Sequence, residues 1–267
     1  MSEDLLYGRH PLLEALRSGS RRFEEIAVLE GGRGTGLSEI IQRARTLGIK
    51  LTFRSREALT ALAGTAHHQG VVARVSSTEY VEVEDVLAVA EARGETPFLL
   101  ALDQLQDPQN LGSLLRSAEG AGVHGVILLR RGGVGLTGAV AKASAGALER
   151  LPVARVANLS ETLRWLQQRG LWAVGAVPQG GTCIWEADLA GPLVLVLGGE
   201  GRGLRPLVAR QCDRLVTIPM RGTLTALNTA VAGAVCLFEV LRQQVRQPPV
   251  IPHSGAKKTL DTRKLEE

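Results

Sequence analysis

Five short segments made almost entirely of apolar residues lie in the second part of this 267-residue chain, and they limit its possible folds more than any other feature. They are Phe98–Leu102, Gly125–Leu129, Leu171–Val177, Pro192–Leu197 and Leu215–Ile218, with helical patterns between them. Strands with one face in water alternate apolar and polar residues, whereas continuously apolar strands are buried on both faces. The pattern therefore predicts an α/β domain with a mostly parallel sheet flanked by helices.

The first 76 residues predict a separate and smaller α/β domain. Its helical patterns lie at residues 7–17, at 37–47 and after Ser55, and its strand patterns at 24–29, 50–54 and 70–75. Residues 77–96 are rich in acidic side chains and end before Pro97, so we interpret them as a linker that contains one helix. The second domain then covers residues 97–245, and the polar residues 246–267 are expected to form a flexible tail.

Charge and composition narrow the class of protein without identifying it. The net charge is +4, and only five of the 31 basic residues are lysines. Arginine suits an RNA surface because it pairs with phosphate and stacks on bases, although a GC-rich genome gives the same excess. Aromatic residues make up 3% of the chain, which argues against base stacking as the main mode of nucleic-acid binding.

The cysteines and the apolar runs predict a cytoplasmic protein. Cys183, Cys212 and Cys236 are far apart in the sequence and show neither metal-ligand spacing nor a reason to pair, as expected in a reducing compartment. No window contains 18 uninterrupted apolar residues, and the N-terminus lacks the apolar run of a signal peptide. We therefore expect no membrane-spanning segment.

The first of three polar loops follows the strand at Phe98–Leu102. It contains Pro108 and leads to Asn110, which is placed to begin a helix, and Arg116 follows six residues later. At that spacing Arg116 can approach the mouth of a site at the end of the strand. A capped turn with an arginine in solvent accounts for the same residues.

The second loop has four glycines in six positions, residues 198–203, directly after a buried strand. Glycine permits close approach of the backbone to a ligand. The loop matches neither the dinucleotide fingerprint nor a phosphate-binding P-loop, because Leu204 takes the place of the last glycine and no Lys-Ser/Thr pair follows. Its central carboxylate, Glu200, favours a cationic or amine-bearing ligand, and a tight turn without a ligand is the alternative.

The third loop leads from Ile218 to Asn228, and a strongly apolar helix rich in small residues follows it. Such a helix can pack closely against backbone or a second subunit. Ordinary core packing explains it equally well.

Together, in this order and spacing, the three loops closely resemble the three motifs of the SpoU ribose methyltransferases of the SPOUT superfamily. The resemblance covers residues 97–242. The segments Tyr7-Gly-Arg-His-Pro11 and His68-Gln-Gly-Val71 resemble the substrate-binding domain of the branch that methylates guanosine 2′-hydroxyls of 23S rRNA.

The resemblance implies a C-terminal trefoil knot, S-adenosyl-L-methionine as methyl donor, RNA as substrate, a homodimer and no metal. It assigns donor binding to Gly198, Gly199, Gly201, Ile218, Met220 and Leu227. It assigns catalysis to Asn110, Arg116, Glu200 and Asn228.

Two features of the motifs bear on how the chemistry is done. The resemblance gives Arg116 the task of activating the hydroxyl, yet arginine is effectively always protonated. We therefore expect Arg116 to stabilise the developing alkoxide and a neighbouring phosphate, which itself takes the proton. The chain also departs from the family pattern, because Ala226 and Ala230 replace serines and Gly199 replaces an asparagine. Thr225 and Thr229 are candidates to supply the missing hydroxyls.

Two other functions stay open at this point. A tRNA 2′-O-methyltransferase uses the same chemistry, although minimal tRNA enzymes of this family generally lack the first domain. A non-catalytic RNA-binding or ribosome-assembly protein would retain the fold without turnover, but the four catalytic positions favour an enzyme. His67 and His68 are adjacent and have no third ligand, so a turn or RNA contact is favoured over a metal site. His124 is predicted to lie on the surface.

Overall fold

The computed structural model describes residues 3–246, and it divides them between two β-sheets. The first part contains strands β1 (Glu3–Tyr7), β2 (Phe23–Leu29), β3 (Lys50–Arg54) and β4 (Val71–Ser76), with helices α1 (Arg9–Ser18), α2 (Thr35–Thr46) and α3 (Arg56–Ala63). The sheet order is β1-β4-β2-β3, with β2 and β3 parallel and β4 antiparallel to both of its neighbours. A small N-terminal α/β domain with its own sheet is therefore confirmed.

The second sheet has seven strands, and every pairing in it is parallel. Its strands are β5 (Phe98–Asp103), β6 (Gly125–Leu129), β7 (Val153–Val156), β8 (Trp172–Ala176), β9 (Thr182–Cys183), β10 (Leu193–Gly198) and β11 (Arg214–Thr217). Its helices are α4 (Val83–Arg93), α5 (Pro108–Gly120), α6 (Gly138–Ala143), α7 (Leu159–Gln167), α8 (Pro206–Gln211) and α9 (Thr229–Arg246). The parallel α/β architecture is confirmed, whereas the trefoil knot stays a prediction.

Burial on both faces explains why the strands read as continuous apolar runs. All six residues of β5 are buried, and successive side chains enter different cores. Leu100 packs into the core that α5 and α9 cover, and Leu99 packs into the core of α4 and α7. An alternating polar pattern would place a polar side chain in one of these cores, at a cost in desolvation.

The strand order places the loops of interest together. From β5 the chain first builds β6 and β7 on one side, and it later builds β10, β8 and β11 on the other, in the order β7-β6-β5-β10-β8-β11-β9. The last residues of the two central strands, Asp103 and Gly198, are partners in register. Ligands of parallel α/β sheets bind outside the carboxyl ends of the strands where the order reverses, which is here.

A buried ion pair joins the two domains. The Arg21 guanidinium donates from Nε to Glu149 Oε2 at 2.9 Å, and its second nitrogen lies 2.7 Å from Oε1. Both side chains are at most 3% exposed. Ser20 also donates its hydroxyl to Glu149, at 2.5 Å. A buried charge without its partner is costly, so this pair opposes separation of the domains.

The structure adds elements that the sequence patterns did not reveal and corrects one residue. Strands β1, β7 and β9 and helix α6 were not predicted. The prediction that His124 lies on the surface was wrong: its ring is buried, accepts from the Phe98 N–H at 3.1 Å and contacts Glu95 at 2.9 Å. The predicted tail, apart from residue 246, lies outside the described residues. None of the helices within residues 3–246 is long and apolar enough to cross a membrane.

Candidate active site

A cavity opens beyond the carboxyl ends of β8, β10 and β11, where the second and third polar loops meet. The residues predicted to bind a donor all line it: Gly198, Gly199, Gly201, Ile218, Met220 and Leu227. Apolar side chains, including those of Leu197 and Val216, form much of the remaining wall. The structure therefore gathers two distant loops into one concave, largely apolar site with backbone groups at its edge.

The glycines of the second loop are required by close backbone packing. A Cβ atom on Gly198 would lie 2.0 Å from the carbonyl carbon of Gly203, and one on Gly199 would lie 2.4 Å from the carbonyl oxygen of Gln104. The Gly203 N–H donates to Gly199 O at 3.1 Å, which closes the loop on itself. Residue 199 therefore has no room for an asparagine side chain in this backbone arrangement.

Three of the four predicted catalytic residues form one hydrogen-bonded chain at the edge of this loop. Asn110 Nδ2, in the first turn of α5, donates to Glu200 Oε1 at 2.8 Å. Asn228 Nδ2 donates to Asn110 Oδ1 at 3.1 Å. Each amide is thus held in one orientation, and the chain joins all three loops.

Asn228 has a second task at the start of α9. Its Oδ1 accepts from the N–H groups of Ala230 at 2.9 Å and Val231 at 3.3 Å, which are otherwise unsatisfied at a helix start. Asparagine is a preferred residue for this N-cap position. The cap fixes the side chain so that its amide N–H groups point away from the helix, toward Asn110.

Glu200 is held as a carboxylate. Burial raises its pKa, but hydrogen bonds from Asn110 and from three backbone N–H groups together outweigh burial, and the pKa lies below its usual value. The side chain therefore accepts hydrogen bonds at neutral pH and does not donate them. It is still partly exposed to solvent and so accessible to a substrate.

Arg116 lies apart from the other three predicted catalytic residues. It is on the exposed side of α5, and it is not among the residues that line the cavity. Six residues separate it from Asn110, which is about 9 Å along a helix.

Sequence reasoning missed an ion pair beside the site, between the buried Asp103 and the partly exposed Arg205. Asp103 is fully buried, and its Oδ1 accepts from Arg205 Nε at 2.7 Å while Oδ2 accepts from the Arg205 backbone N–H at 2.9 Å. This pair ties the end of β5 to the end of the glycine loop. A lone acid at the end of the apolar strand Phe98–Leu102 was the available signal.

The third loop supplies hydroxyl groups at positions other than the family's serines. Thr225 and Thr229 line the cavity together with Ala226. Cys236 of α9 also reaches its wall, but burial raises the pKa of this thiol to about 12. The thiol therefore stays protonated and is no nucleophile.

The histidine pair and the other possible metal ligands do not form a metal site in the part of the chain described. No group of three or more His, Cys, Asp or Glu side chains there has the arrangement to hold a metal ion. His68 is buried, and its Nδ1 accepts from the Gly70 N–H at 3.1 Å. It stabilises a turn, as one of the two sequence interpretations had it.

Two family models match the chain. The model of the SpoU rRNA Methylase family matches residues 97–238, and a model described as RNA 2′-O ribose methyltransferase substrate binding matches residues 5–81. Among similar proteins is the 23S rRNA (guanosine-2′-O-)-methyltransferase RlmB of Shewanella oneidensis, 40% identical over 91% of this chain and 98% of its own. The putative TrmH family tRNA/rRNA methyltransferase YacO of Bacillus subtilis is also 40% identical, over 90% of this chain and 96% of its own.

Solved structures agree with this similarity. The SpoU methyltransferase AviRb from Streptomyces viridochromogenes, in complex with AdoMet, superposes with a TM-score of 0.77 at 25% identity, over 92% of both chains. A structure concerned with 2′-OH methylation of C/U34 on tRNA gives a TM-score of 0.51 at 27% identity. It covers 57% of this chain but 99% of that one, so the tRNA enzyme has no counterpart for a large part of this protein.

Proposed function

This chain belongs to the SpoU rRNA methylase family, and we propose that it transfers a methyl group from S-adenosylmethionine to the ribose 2′-hydroxyl of a guanosine in 23S rRNA. The observation that carries the proposal is the chain of Asn110, Glu200 and Asn228 beside a glycine-lined cavity. Relatives named as 23S rRNA guanosine methyltransferases, matched over nearly their full length, support the choice of nucleoside and RNA.

The cavity suits the donor chemically. Glycine backbone in the second loop offers N–H and C=O groups, and Leu197, Ile218 and Leu227 provide apolar walls for a purine ring. The ionised Glu200 at the edge favours a positively charged ligand such as a sulfonium. When bound, the donor supplies a methyl group that its sulfonium has already activated.

The protein's remaining task is to orient and deprotonate the ribose hydroxyl. As the oxygen–methyl bond forms and the sulfur–methyl bond breaks, the hydroxyl must lose its proton. The Glu200 carboxylate, held by Asn110, is placed to position the incoming nucleotide. For Arg116, which is exposed on α5, we propose a contact with RNA that extends from the cavity, through which it stabilises the developing alkoxide and an adjacent phosphate that takes the proton.

The first domain favours rRNA over tRNA as the substrate. Residues 5–81 match a substrate-binding model, and the similar tRNA-related structure lacks a counterpart for much of this chain. Helix α4, within the segment 77–96 that we expected to be a linker, packs on the core of the second domain. The relatives named as 23S rRNA methyltransferases are bacterial, and bacterial rRNA is made and modified in the cytoplasm, so we propose a cytoplasmic location.

We also propose a homodimer formed through α9. Val231, Phe238 and Val245 are spaced by seven residues and are each about half exposed or more, so they form one apolar stripe on that helix. Exposed apolar stripes of this kind mark protein–protein contacts. Size measurement in solution tests the proposal, since a Phe238→Glu variant should be a monomer.

Transfer of labelled methyl groups to unmodified 23S rRNA, 16S rRNA and bulk tRNA in parallel tests the proposed substrate. Label in 23S rRNA is the expected result. Label in tRNA alone would agree with the proposed chemistry, but it would refute the argument that the first domain selects rRNA. Donor binding without label in any RNA would favour the non-catalytic protein.

A further inference from the structure

A second cleft, of about 690 Å³, lies in the first domain where Lys142 of the second domain reaches it, and it shares no lining residue with the donor cavity. Twelve residues of the described part of the chain line it, and none of these twelve is acidic. Four are permanent cations and two are histidines: Arg9, Arg33, Arg56, Lys142, His10 and His67. In a chain with a net charge of only +4, such a segregation of positive charge makes this cleft attractive to anions.

The cations of the cleft are positioned without acidic partners. Arg9 donates from Nε to the carbonyl of Gln69 at 3.2 Å and from its second nitrogen to the carbonyl of Arg33 at 3.3 Å. These two bonds orient the guanidinium and leave further N–H donors unused. Arg33 and Arg56 take part in no ion pair with the described residues. The adjacent Glu57 offsets part of the Arg56 charge without forming an ion pair, so both guanidiniums have N–H donors available to a ligand.

Two features next to the cleft, the pKa of His68 and the start of α2, are consistent with a positive potential there. The pKa of the buried His68 is lowered, first by burial and then by the charges of Arg56 and Lys142. Helix α2 begins beside the cleft after Gly34, with no side-chain cap on its first N–H groups. A helix start adds partial positive charge to that of the arginines.

Both domains contribute to the cleft. Lys142 belongs to α6 of the second domain, and its Nζ donates to the carbonyl of His67 in the first domain at 3.0 Å. Helix α6 also packs closely on α5, the helix that carries Asn110, because Gly112 leaves room for Ala143. The buried pair of Arg21 and Glu149 keeps the domains in the arrangement that forms the cleft.

We propose that this cleft binds backbone phosphates of the substrate RNA, so that one RNA segment contacts both domains while its target ribose reaches the edge of the donor cavity, beside Glu200. The proposal rests on the proposed function for the identity of the anion. Arginine forks contact phosphate oxygens, and Lys142 contributes a point charge from the catalytic domain.

Salt dependence of RNA binding tests the cleft directly. The full chain, with and without paired Arg33→Gln and Arg56→Gln substitutions, is titrated with a short single-stranded RNA of mixed sequence at several salt concentrations. Each lost phosphate contact to a single strand makes the slope of log affinity against log salt less steep by about 0.7, so the pair should change it by about 1.4. Paired Arg45→Gln and Arg93→Gln substitutions remove the same charge from exposed positions elsewhere and should leave the slope unchanged.

Lys142→Gln tests the contribution of the second domain and should change the slope by about 0.7. If the slope changes equally for the two arginine pairs, or for neither pair, the cleft is not a specific RNA site. An unchanged slope for Lys142→Gln would show that the second domain does not contribute to it. Tighter binding of polyglutamate than RNA would assign the cleft to an acidic protein instead. The assay needs no methyl donor, so a cleft without RNA affinity and an enzyme without activity are distinguished.

Discussion

Replacing Asn228 separates two tasks that the structure gives to one side chain. Its Oδ1 caps α9 by accepting from two N–H groups, and its Nδ2 donates to Asn110. Asn228→Ala removes both interactions. Asn228→Asp keeps the cap, which a negative charge at a helix start strengthens, but it cannot donate to the Asn110 oxygen.

The expected magnitudes follow from these contacts. Loss of an N-cap costs about 1 kcal/mol, so Asn228→Ala should lower the melting temperature by about 2–4 °C in a chain of this size. The hydrogen bond to Asn110 contributes roughly 1–1.5 kcal/mol, and it holds Asn110 in the orientation that positions Glu200. If all of this free energy is lost in the transition state, the rate of methyl transfer falls about five- to tenfold. Asn228→Asp should show the loss of rate without the loss of stability.

Thermal unfolding and single-turnover methyl transfer are measured on the same preparations. Asn158→Ala is the matched control, because Asn158 caps α7 by accepting from the Glu161 N–H, and it is not among the cavity residues. This control should lose similar stability and retain its transfer rate. A wild-type rate for Asn228→Asp would refute the role given to the hydrogen-bonded chain.

Three further predictions concern the glycine loop, the domain junction and pH. Gly199→Ala should abolish donor binding, measured calorimetrically, because its Cβ meets a carbonyl oxygen at 2.4 Å, whereas Gly222→Ala, with no atom within 4 Å, should bind the donor normally. Glu149→Gln should lower the free energy of unfolding in urea by about 3–5 kcal/mol, because it leaves Arg21 buried without its charge partner; a change below about 1 kcal/mol would contradict this. The lowered pKa of Glu200 means that its contribution to stability is present above the usual carboxyl pKa and is lost as pH falls through the folded-state pKa. Wild type should therefore lose more stability in acid than Glu200→Gln does, and identical pH profiles would contradict the assignment.

The sequence patterns identified the interior of the fold better than its edges. Five of the seven strands in the large sheet have a neighbouring strand on each side, and their apolar composition alone predicts them. Strand β7 lies at an edge, and Arg155 interrupts its short apolar run. Strand β9 has two residues, which is too few for any periodicity, and β1 merges in the sequence with the helix that follows it.

Contacts between distant residues lay beyond sequence reasoning. His124 can be buried because both of its ring nitrogens have hydrogen-bond partners, a backbone N–H of β5 and the carboxylate of Glu95. No local sequence pattern predicts these partners. Arg21 and Glu149 are 128 positions apart. The location of the site was easier to predict than these contacts, since parallel strands bring their carboxyl ends to one edge of the sheet and the polar loops follow those ends. The order of hydrogen bonds from Asn228 through Asn110 to Glu200 needed the structure.

Identification of the methylated atom is the most direct test of the central claim. A 23S rRNA transcript is incubated with the protein and isotopically labelled S-adenosylmethionine, and the RNA is then hydrolysed in alkali and, separately, digested to nucleosides for mass spectrometry. We predict an alkali-resistant linkage and a labelled guanosine whose extra methyl group is on the ribose. Label on a nucleobase, in a linkage that alkali cleaves, would contradict the account.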